Sequence, residues 1–113
     1  MPRISSHVLD TTLGKPASGI HITLFKFDQD QWLELNSDTT NDDGRVANLL
    51  TDHMPLETGR YKLKFALEDY LIHQQQPCFY PQVEIECQLV AEDEHYHIPL
   101  LISPFGYSTY RGS

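Results

Sequence analysis

Apolar and polar side chains alternate along much of this chain, as they do in strands that bury one face. Residues 83–89 place Val, Ile, Cys and Leu at odd positions and Glu, Glu and Gln at even ones. Residues 60–65 repeat the pattern, with Tyr, Leu and Phe on one face and Arg, Lys and Lys on the other. Because side chains alternate across a strand, each segment predicts a half-buried strand. Similar patterns predict strands at 4–9, 20–27, 32–36 and 98–102, with shorter ones after Gly44 and around Tyr107.

Turn-forming residues separate these strands, and one segment has a helical period. Residues 10–16 and 28–30 are predicted as turns, and Asn-Asp-Asp-Gly at 41–44 is a tight-turn signal that places Arg45 at the start of a short strand. Residues 66–76 predict the helix, because Leu67, Tyr70 and Leu71 share one helical face. Seven or eight short strands and one short helix predict an all-β fold, an antiparallel β-sandwich.

The last nineteen residues combine a strand with an unusual tail. Ile98, Leu100 and Ile102 fall on one face of the predicted strand, whereas His95 and His97 fall on the other. One face can therefore enter the core while the other presents two imidazoles. Two tyrosines and an arginine follow, and we expect this tail to be held in a specific place, because ends of domains are otherwise polar and frayed.

Composition narrows the possible partners. A chain of 113 residues with 40% hydrophobic content predicts a single domain over residues 1–113. The net charge of -8 argues against nucleic-acid and anionic-membrane partners, so an anionic ligand needs a local cation. There is no signal-peptide pattern or membrane-length apolar run, and Cys78 and Cys87 lack metal or redox spacing. We therefore expect free thiols and a cytoplasmic location.

The residues alone leave the chemistry open. None of the six histidines has a specific metal-site spacing; His95 and His97 could share a metal, but the pattern is weak, and we predict no metal and no cofactor. The pKa of an imidazole lies near neutral pH, so the histidines also suit proton transfer. Arg45 could equally be a solvated residue after a turn, and His7 a hydrogen-bonded strand histidine. Serine-nucleophile and nucleotide-binding motifs are absent from the sequence.

Five segments together resemble the transthyretin-related 5-hydroxyisourate hydrolases. These segments are residues 6–10 (Ser-His-Val-Leu-Asp), 14–17 (Gly-Lys-Pro-Ala), 43–45 (Asp-Gly-Arg), 95–101 (His-Tyr-His-Ile-Pro-Leu-Leu) and 107–113 (Tyr-Ser-Thr-Tyr-Arg-Gly-Ser). The closing Tyr-Arg-Gly-Ser is that family's signature tetrapeptide and is replaced in the transthyretin hormone carriers. The resemblance covers nearly the whole chain and implies a transthyretin-like sandwich of two sheets.

The resemblance also implies an activity and an assembly. The family hydrolyses 5-hydroxyisourate, a cyclic amide from urate degradation, to 2-oxo-4-hydroxy-4-carboxy-5-ureidoimidazoline. It works as a homotetramer, a dimer of dimers, with sites in the channel between dimers. The implied catalytic residues are His7, Arg45, His97 and Ser113, and the implied substrate-binding residues are His7, Arg45, Tyr110 and Arg111; His95 is a weaker candidate for a supporting role. The alternative is a small-ligand carrier without catalysis, which would need an apolar, unreactive channel.

Overall fold

The structure, a computed structural model, describes residues 2–51 and 53–112. Within these ranges the elements are β1 (Arg3–Asp10), β2 (Lys15–Pro16), β3 (His21–Asp28), β4 (Gln31–Thr39), β5 (Arg45–Val46), β6 (Gly59–Ala66), α1 (Glu68–His73), β7 (Gln82–Leu89), β8 (His95–Ser103) and β9 (Gly106–Thr109). The strands predicted from alternation are all present. The described part has nine strands rather than seven or eight, because the two-residue strand β2 lies in the segment 10–16 that was predicted as a turn.

The strands form two sheets that face each other across the core. One sheet has the order β2-β1-β8-β9, with β5 also paired to β1, and the other has the order β4-β3-β6-β7. The apolar faces of β3, β6 and β8 are buried, and the largest fully buried side chains alternate along these strands, whereas β4 and β9 have no fully buried residue. The predicted two-sheet sandwich with one short helix is confirmed. The opposite faces of β6 and β7 carry their Arg, Lys, Glu and Gln side chains.

One pairing differs from an antiparallel arrangement. Strands β1 and β8 are parallel, with Ser5 opposite His97 and His7 opposite Pro99. The other strand pairs in the described ranges are antiparallel. The chain enters β8 from β7 of the other sheet, so no tight hairpin dictates its direction. The parallel pair joins the two segments that contain His7 and His97.

The helix is shorter than the predicted span of 66–76. Strand β6 continues to Ala66, and the backbone amides of Leu67 and Glu68 both donate to the carbonyl oxygen of Pro81. Gln75, with a φ of 58°, lies beyond the helix end in the left-handed region. Tyr70 is buried against the core, which holds this short helix in place. In the described part of the chain, no helix has the length and apolar character to cross a membrane.

Candidate active site

Strand pairing places Arg45 directly beside His7. The two residues are partners in the β1–β5 pair, so both side chains leave the same outer face of the sheet. The turn before Arg45 is tight: Gly44 has a φ of 74°, and a Cβ there would lie 2.5 Å from the carbonyl oxygen of Val8. Asn41 stabilises the turn, because its side-chain oxygen accepts a hydrogen bond of 3.0 Å from the backbone amide of Arg45. Arg45 thus follows a turn that requires glycine.

His97 joins the same face through β8. Its parallel partner is Ser5, which lies two residues from His7 on β1. The Ser5 hydroxyl oxygen is 2.8 Å from Nδ1 of His97 and 3.3 Å from Nε2 of His95. The predicted division of β8 is confirmed, because Ile98, Leu100 and Ile102 are buried on the opposite face. We therefore find both histidines of the 95–97 segment on the face that carries Arg45.

A cavity of about 350 Å³ opens on this face. Its lining includes Arg3, Ser5, Arg45, His95 and His97. This volume falls within the ordinary range for small-molecule sites. The lining supplies hydrogen-bond donors, imidazole nitrogens and a guanidinium that cannot lose its charge near neutral pH. The cavity thus suits a small polar ligand with negative or developing negative charge.

The surroundings of His97 favour its neutral form. Burial lowers its pKa from the ordinary histidine value, and the positive charge of Arg45 lowers the pKa further. His7 and His95 act in the same direction, because two imidazolium ions close together repel each other. A neutral imidazole at physiological pH has one nitrogen that can accept a proton. His97 is therefore ready to act as a base or as a hydrogen-bond partner.

His7 shares this electrostatic environment. Burial and the Arg45 guanidinium lower its pKa, and they outweigh Asp43, which acts in the opposite direction. Its Nε2 atom is buried and has no hydrogen-bond partner among the described residues. Buried ring nitrogens normally have a partner. The structure thus brings together three predicted residues, His7, Arg45 and His97, and gives both imidazoles lowered pKa values.

The tail contributes backbone to this site. The Gly112 amide donates a hydrogen bond of 2.8 Å to the carbonyl oxygen of His97. A Cβ on Gly112 would lie 2.5 Å from Cδ2 of His97, so the tail backbone packs directly on the imidazole ring. Ser113, a predicted catalytic residue, lies outside the described residues. Its predicted role remains an expectation from the resemblance.

Tyr110 and Arg111 lie along a different cavity of their own chain. This second cavity, of about 470 Å³, runs between the edge strand β7 and the tail. The Arg111 guanidinium is centred 4.5 Å from the ring of Tyr96 and reaches Asp93 at 3.7 Å. Tyr110 is 57% exposed. Within one chain, then, the structure does not bring these two predicted substrate-binding residues to the histidines.

Of the contacts of His97, Ser5 is missing from the predicted site, whereas Gly112 belongs to the Tyr-Arg-Gly-Ser tail that the resemblance places there. Ser5 shares the strand parity of His7, so the alternation along β1 could have identified it as an outward-facing neighbour. The contact of Gly112 with the His97 ring has no local signal in the sequence.

For a metal, the described ranges offer no cluster of three or more His, Cys, Asp or Glu side chains. Cys78 and Cys87 are free thiols.

Comparison with known proteins identifies the family. Residues 4–112 match the HIUase/Transthyretin family. The chain belongs to this family. It is 46% identical to the 5-hydroxyisourate hydrolase of Mesorhizobium japonicum, over 98% of this chain and 92% of the relative. It is 43% identical to the mouse 5-hydroxyisourate hydrolase, over 97% of this chain and 94% of the relative. The resemblance found in the sequence is therefore confirmed.

Solved structures of the HIUase/Transthyretin family confirm the transthyretin-like fold. The 5-hydroxyisourate hydrolase of Klebsiella pneumoniae superposes with a TM-score of 0.84 at 32% identity and covers 100% of both chains. Sea bream transthyretin, solved in complex with thyroxine, superposes with a TM-score of 0.90 at 26% identity, covering 97% of this chain and 94% of that one. Proteins named as a hydrolase and as transthyretin thus share this backbone. The fold alone does not decide between them, and the site residues carry that distinction.

Proposed function

We propose that this chain is a 5-hydroxyisourate hydrolase that opens the cyclic amide of its substrate to give 2-oxo-4-hydroxy-4-carboxy-5-ureidoimidazoline. The observation that carries the proposal is the meeting of His7, Arg45 and His97 on one sheet face, with lowered pKa values for both imidazoles. The identity to relatives named 5-hydroxyisourate hydrolases supports the substrate. The cavity of about 350 Å³ has room for a purine-sized bicycle.

Amide hydrolysis needs a base, a proton donor and stabilisation of an oxyanion. His7 and His97 are the base and the proton donor: a neutral imidazole takes a proton from the attacking water, and the imidazolium that forms lets the pair return a proton to the leaving ring nitrogen. The two imidazoles interact, so the assignment of the two roles belongs to the pair. Lowered pKa values leave at least one of them neutral near pH 7, as a base must be.

Arg45 supplies the positive charge. Its guanidinium can donate two parallel hydrogen bonds to adjacent oxygens of the ligand, which fixes the ligand's orientation. The same charge stabilises the oxygen that becomes negative when water attacks the carbonyl carbon. In a chain of net charge -8, this local cation is what an electron-rich substrate requires. Tyr110, Arg111 and Ser113 remain proposed contributors from the tail.

The test is direct measurement of turnover. Urate and urate oxidase generate 5-hydroxyisourate in situ, and its decay is followed spectroscopically with catalytic amounts of the protein against the spontaneous rate. We expect acceleration by the wild type and a loss of roughly 10²–10⁴ in rate for His7→Ala and His97→Ala, as for other positioned acids and bases. Arg45→Ala should fall by a factor on the order of 10²–10³, as for a lost oxyanion donor.

Matched controls separate the site from general damage. His21→Ala removes an exposed histidine from the other sheet, and Arg60→Ala removes an exposed arginine from β6; both should keep wild-type turnover. Circular dichroism and thermal melts should show that all five variants are folded. No acceleration by the folded wild-type protein, or full activity in all three site variants, would refute the hydrolase proposal.

The carrier alternative makes a different demand on the site. Sea bream transthyretin, which shares the fold, was solved with thyroxine bound. A carrier would have an apolar site without groups poised for proton transfer, whereas this cavity contains Arg45, His95 and His97. If the folded protein fails to accelerate 5-hydroxyisourate decay but binds aromatic ligands by calorimetry, the carrier function would replace the hydrolase.

We further propose a homotetramer, a dimer of dimers, located in the cytoplasm. Edge strands β7 and β9 both line the cavity of about 470 Å³, and Phe79 and Phe105, in the loops that precede them, are 64% and 68% exposed. Exposed edges and apolar side chains are stabilised when a second subunit covers them. Native mass spectrometry should give particles of four chains. A monomer at micromolar concentration would contradict the assembly.

A further inference from the structure

Ser5 lies beside the proposed catalytic residues and has no catalytic role of its own in the proposed mechanism. Its hydroxyl lies between two imidazoles, at 2.8 Å from Nδ1 of His97 and 3.3 Å from Nε2 of His95. Ser5 is only 8% exposed, and these two rings are the partners of its hydroxyl among the described residues. The parallel register of β1 and β8 fixes this geometry, because Ser5 is directly opposite His97.

The orientation of the His97 ring agrees with this contact. Gly112 packs against the Cδ2 edge of the ring, where the C–H group of the imidazole faces a residue that has no Cβ. Nδ1 and Cδ2 lie on opposite sides of an imidazole, so the polar side of the ring faces Ser5. The ring is thus held between a hydroxyl and a glycine. Nε2 remains as its nitrogen for proton transfer with a ligand.

The single hydroxyl proton of Ser5 couples the tautomers of His95 and His97. A hydroxyl has one proton to donate, so it cannot donate to both rings when both are neutral. If Ser5 donates to Nδ1 of His97, it must accept from Nε2 of His95, and both rings carry their proton on Nε2. If His97 donates from Nδ1, Ser5 donates to His95, and both rings carry their proton on Nδ1. A hydroxyl that accepted from both rings would leave its own proton unpaired at a nearly buried position, which is unfavourable.

We propose that Ser5 is a positioning residue that orients His97 through Nδ1 and makes the tautomers of His95 and His97 change together. This inference rests on the proposed hydrolase function for its catalytic consequence, because His97 then acts through Nε2. The tautomer decides whether that nitrogen gives or accepts a proton. Ser5 therefore controls the state of the imidazole without contacting the reacting atoms. Groups that orient a functional imidazole in this way commonly affect activity strongly when they are removed.

The test compares the tautomers with the kinetics. Long-range ¹H–¹⁵N correlation spectra of the ¹⁵N-labelled protein at pH 8.5 report which nitrogen of each neutral imidazole carries the proton. We expect the same tautomer for His95 and His97 in the wild type. Ser5→Ala should change the tautomer ratio of His97 and lower kcat on the order of 10-fold, with KM nearly unchanged. Ser5→Thr, which keeps a hydroxyl, should restore both the ratio and most of kcat.

Ser103→Ala is the matched control, because it removes a hydroxyl from the same face of β8 in the hairpin that leads to β9. It should change neither the tautomers nor the kinetics. Opposite tautomers in the wild type, an unchanged His97 in Ser5→Ala, or a shifted tautomer with unchanged kcat would each overturn the proposal. The spectra need no substrate. A chain that fails to turn over 5-hydroxyisourate would therefore refute the hydrolase function while the tautomers still decide the role of Ser5.

Discussion

The imidazole of His97 rests directly on the backbone of Gly112. The amide of Gly112 donates to the carbonyl oxygen of His97 at 2.8 Å, and a Cβ on Gly112 would meet Cδ2 of the ring at 2.5 Å. Real Cβ atoms essentially never approach other atoms so closely, so any other residue here must displace either the ring or the tail. The glycine of the tail is therefore a steric requirement of the histidine position.

Gly112→Ala should impair turnover more than stability. The added methyl group presses on the Cδ2 side of the His97 ring and forces it toward Ser5, which distorts the hydrogen bond at Nδ1. Displacement of a catalytic group by about 1 Å can cost on the order of 10² in rate. We expect kcat/KM to fall by at least 10-fold while the melting temperature changes little. Gly106→Ala is the control, because a Cβ there meets only Ser103 at an ordinary 3.7 Å. Full activity of Gly112→Ala would show that the ring tolerates the displacement.

Arg45 should control the titration of both site histidines. Its charge lowers the pKa of His7 and of His97, after burial, so both imidazoles stay neutral to more acidic pH than a free histidine. In Arg45→Gln this charge is lost, and the pKa of each histidine should rise towards its ordinary value. NMR titration of the imidazole protons measures these values without any substrate. Arg60→Gln should leave both unchanged; a pKa that falls in Arg45→Gln would contradict this electrostatic account.

The same pKa shifts predict the pH dependence of activity. A step that needs a neutral imidazole is lost when pH falls through the folded-state pKa, which lies below the ordinary value of about 6.5. The acidic limb of kcat/KM for the wild type should therefore lie below pH 6.5. A limb above that value would show that a different group limits the reaction.

Asp10 should contribute to stability through its ionised form. Burial alone would raise its pKa, but hydrogen bonds from Gln76, Tyr70 and the amides of Leu13 and Thr12 outweigh burial and hold it below the ordinary value. Folding thus favours the carboxylate, and this contribution is present above the unfolded pKa and lost as pH falls through the folded pKa. Asp10→Asn should lower the free energy of unfolding at pH 7 by about 2–4 kcal/mol.

Urea unfolding from pH 7 to pH 3 checks the Asp10 prediction. The difference between wild type and Asp10→Asn should shrink in the acidic part of this range, as the wild-type carboxylate becomes protonated. Asp28→Asn, at an exposed position at the end of β3, should change the free energy of unfolding by less than about 0.5 kcal/mol. An equal loss in both variants would mean that the Asp10 hydrogen bonds do not stabilise the fold.

Periodicity was sufficient to predict most strands and the faces they bury. The alternation in β8 separates His95 and His97 from the buried Ile98 and Leu100, because a strand with one buried face leaves little freedom in its parity. The turn at 41–44 likewise fixes where Arg45 begins β5, since the close approach to Val8 excludes a Cβ at Gly44. Both features depend on residues that are neighbours in the sequence, so a single sequence is enough to predict them.

The site contacts between distant segments were less accessible from the sequence. Parallel pairing of β1 with β8 depends on how the chain crosses between sheets, and this pairing is what places Ser5 opposite His97. The packing of Gly112 on the ring depends in turn on where the tail runs after β9. The N-terminal end of α1 was missed for a local reason. Its N-cap residue, Leu67, makes no side-chain hydrogen bond, so the sequence has no capping signal there. Alternation can place a residue such as Ser5 on a face, but the contacts between distant segments leave no periodic signal.

The β1–β8 pairing also sets when the site can exist during synthesis. Ser5 and His97 are 92 residues apart, so their contact closes nearly the whole chain into one loop. Contacts of such long range form late and slow the folding of β proteins. A nascent chain that has emerged only through β7 already contains His7 and Arg45, but it has no partner strand to complete the cavity. Catalytic competence would therefore appear in a single late event, and onset of turnover during cell-free translation would report the docking of β8 onto β1.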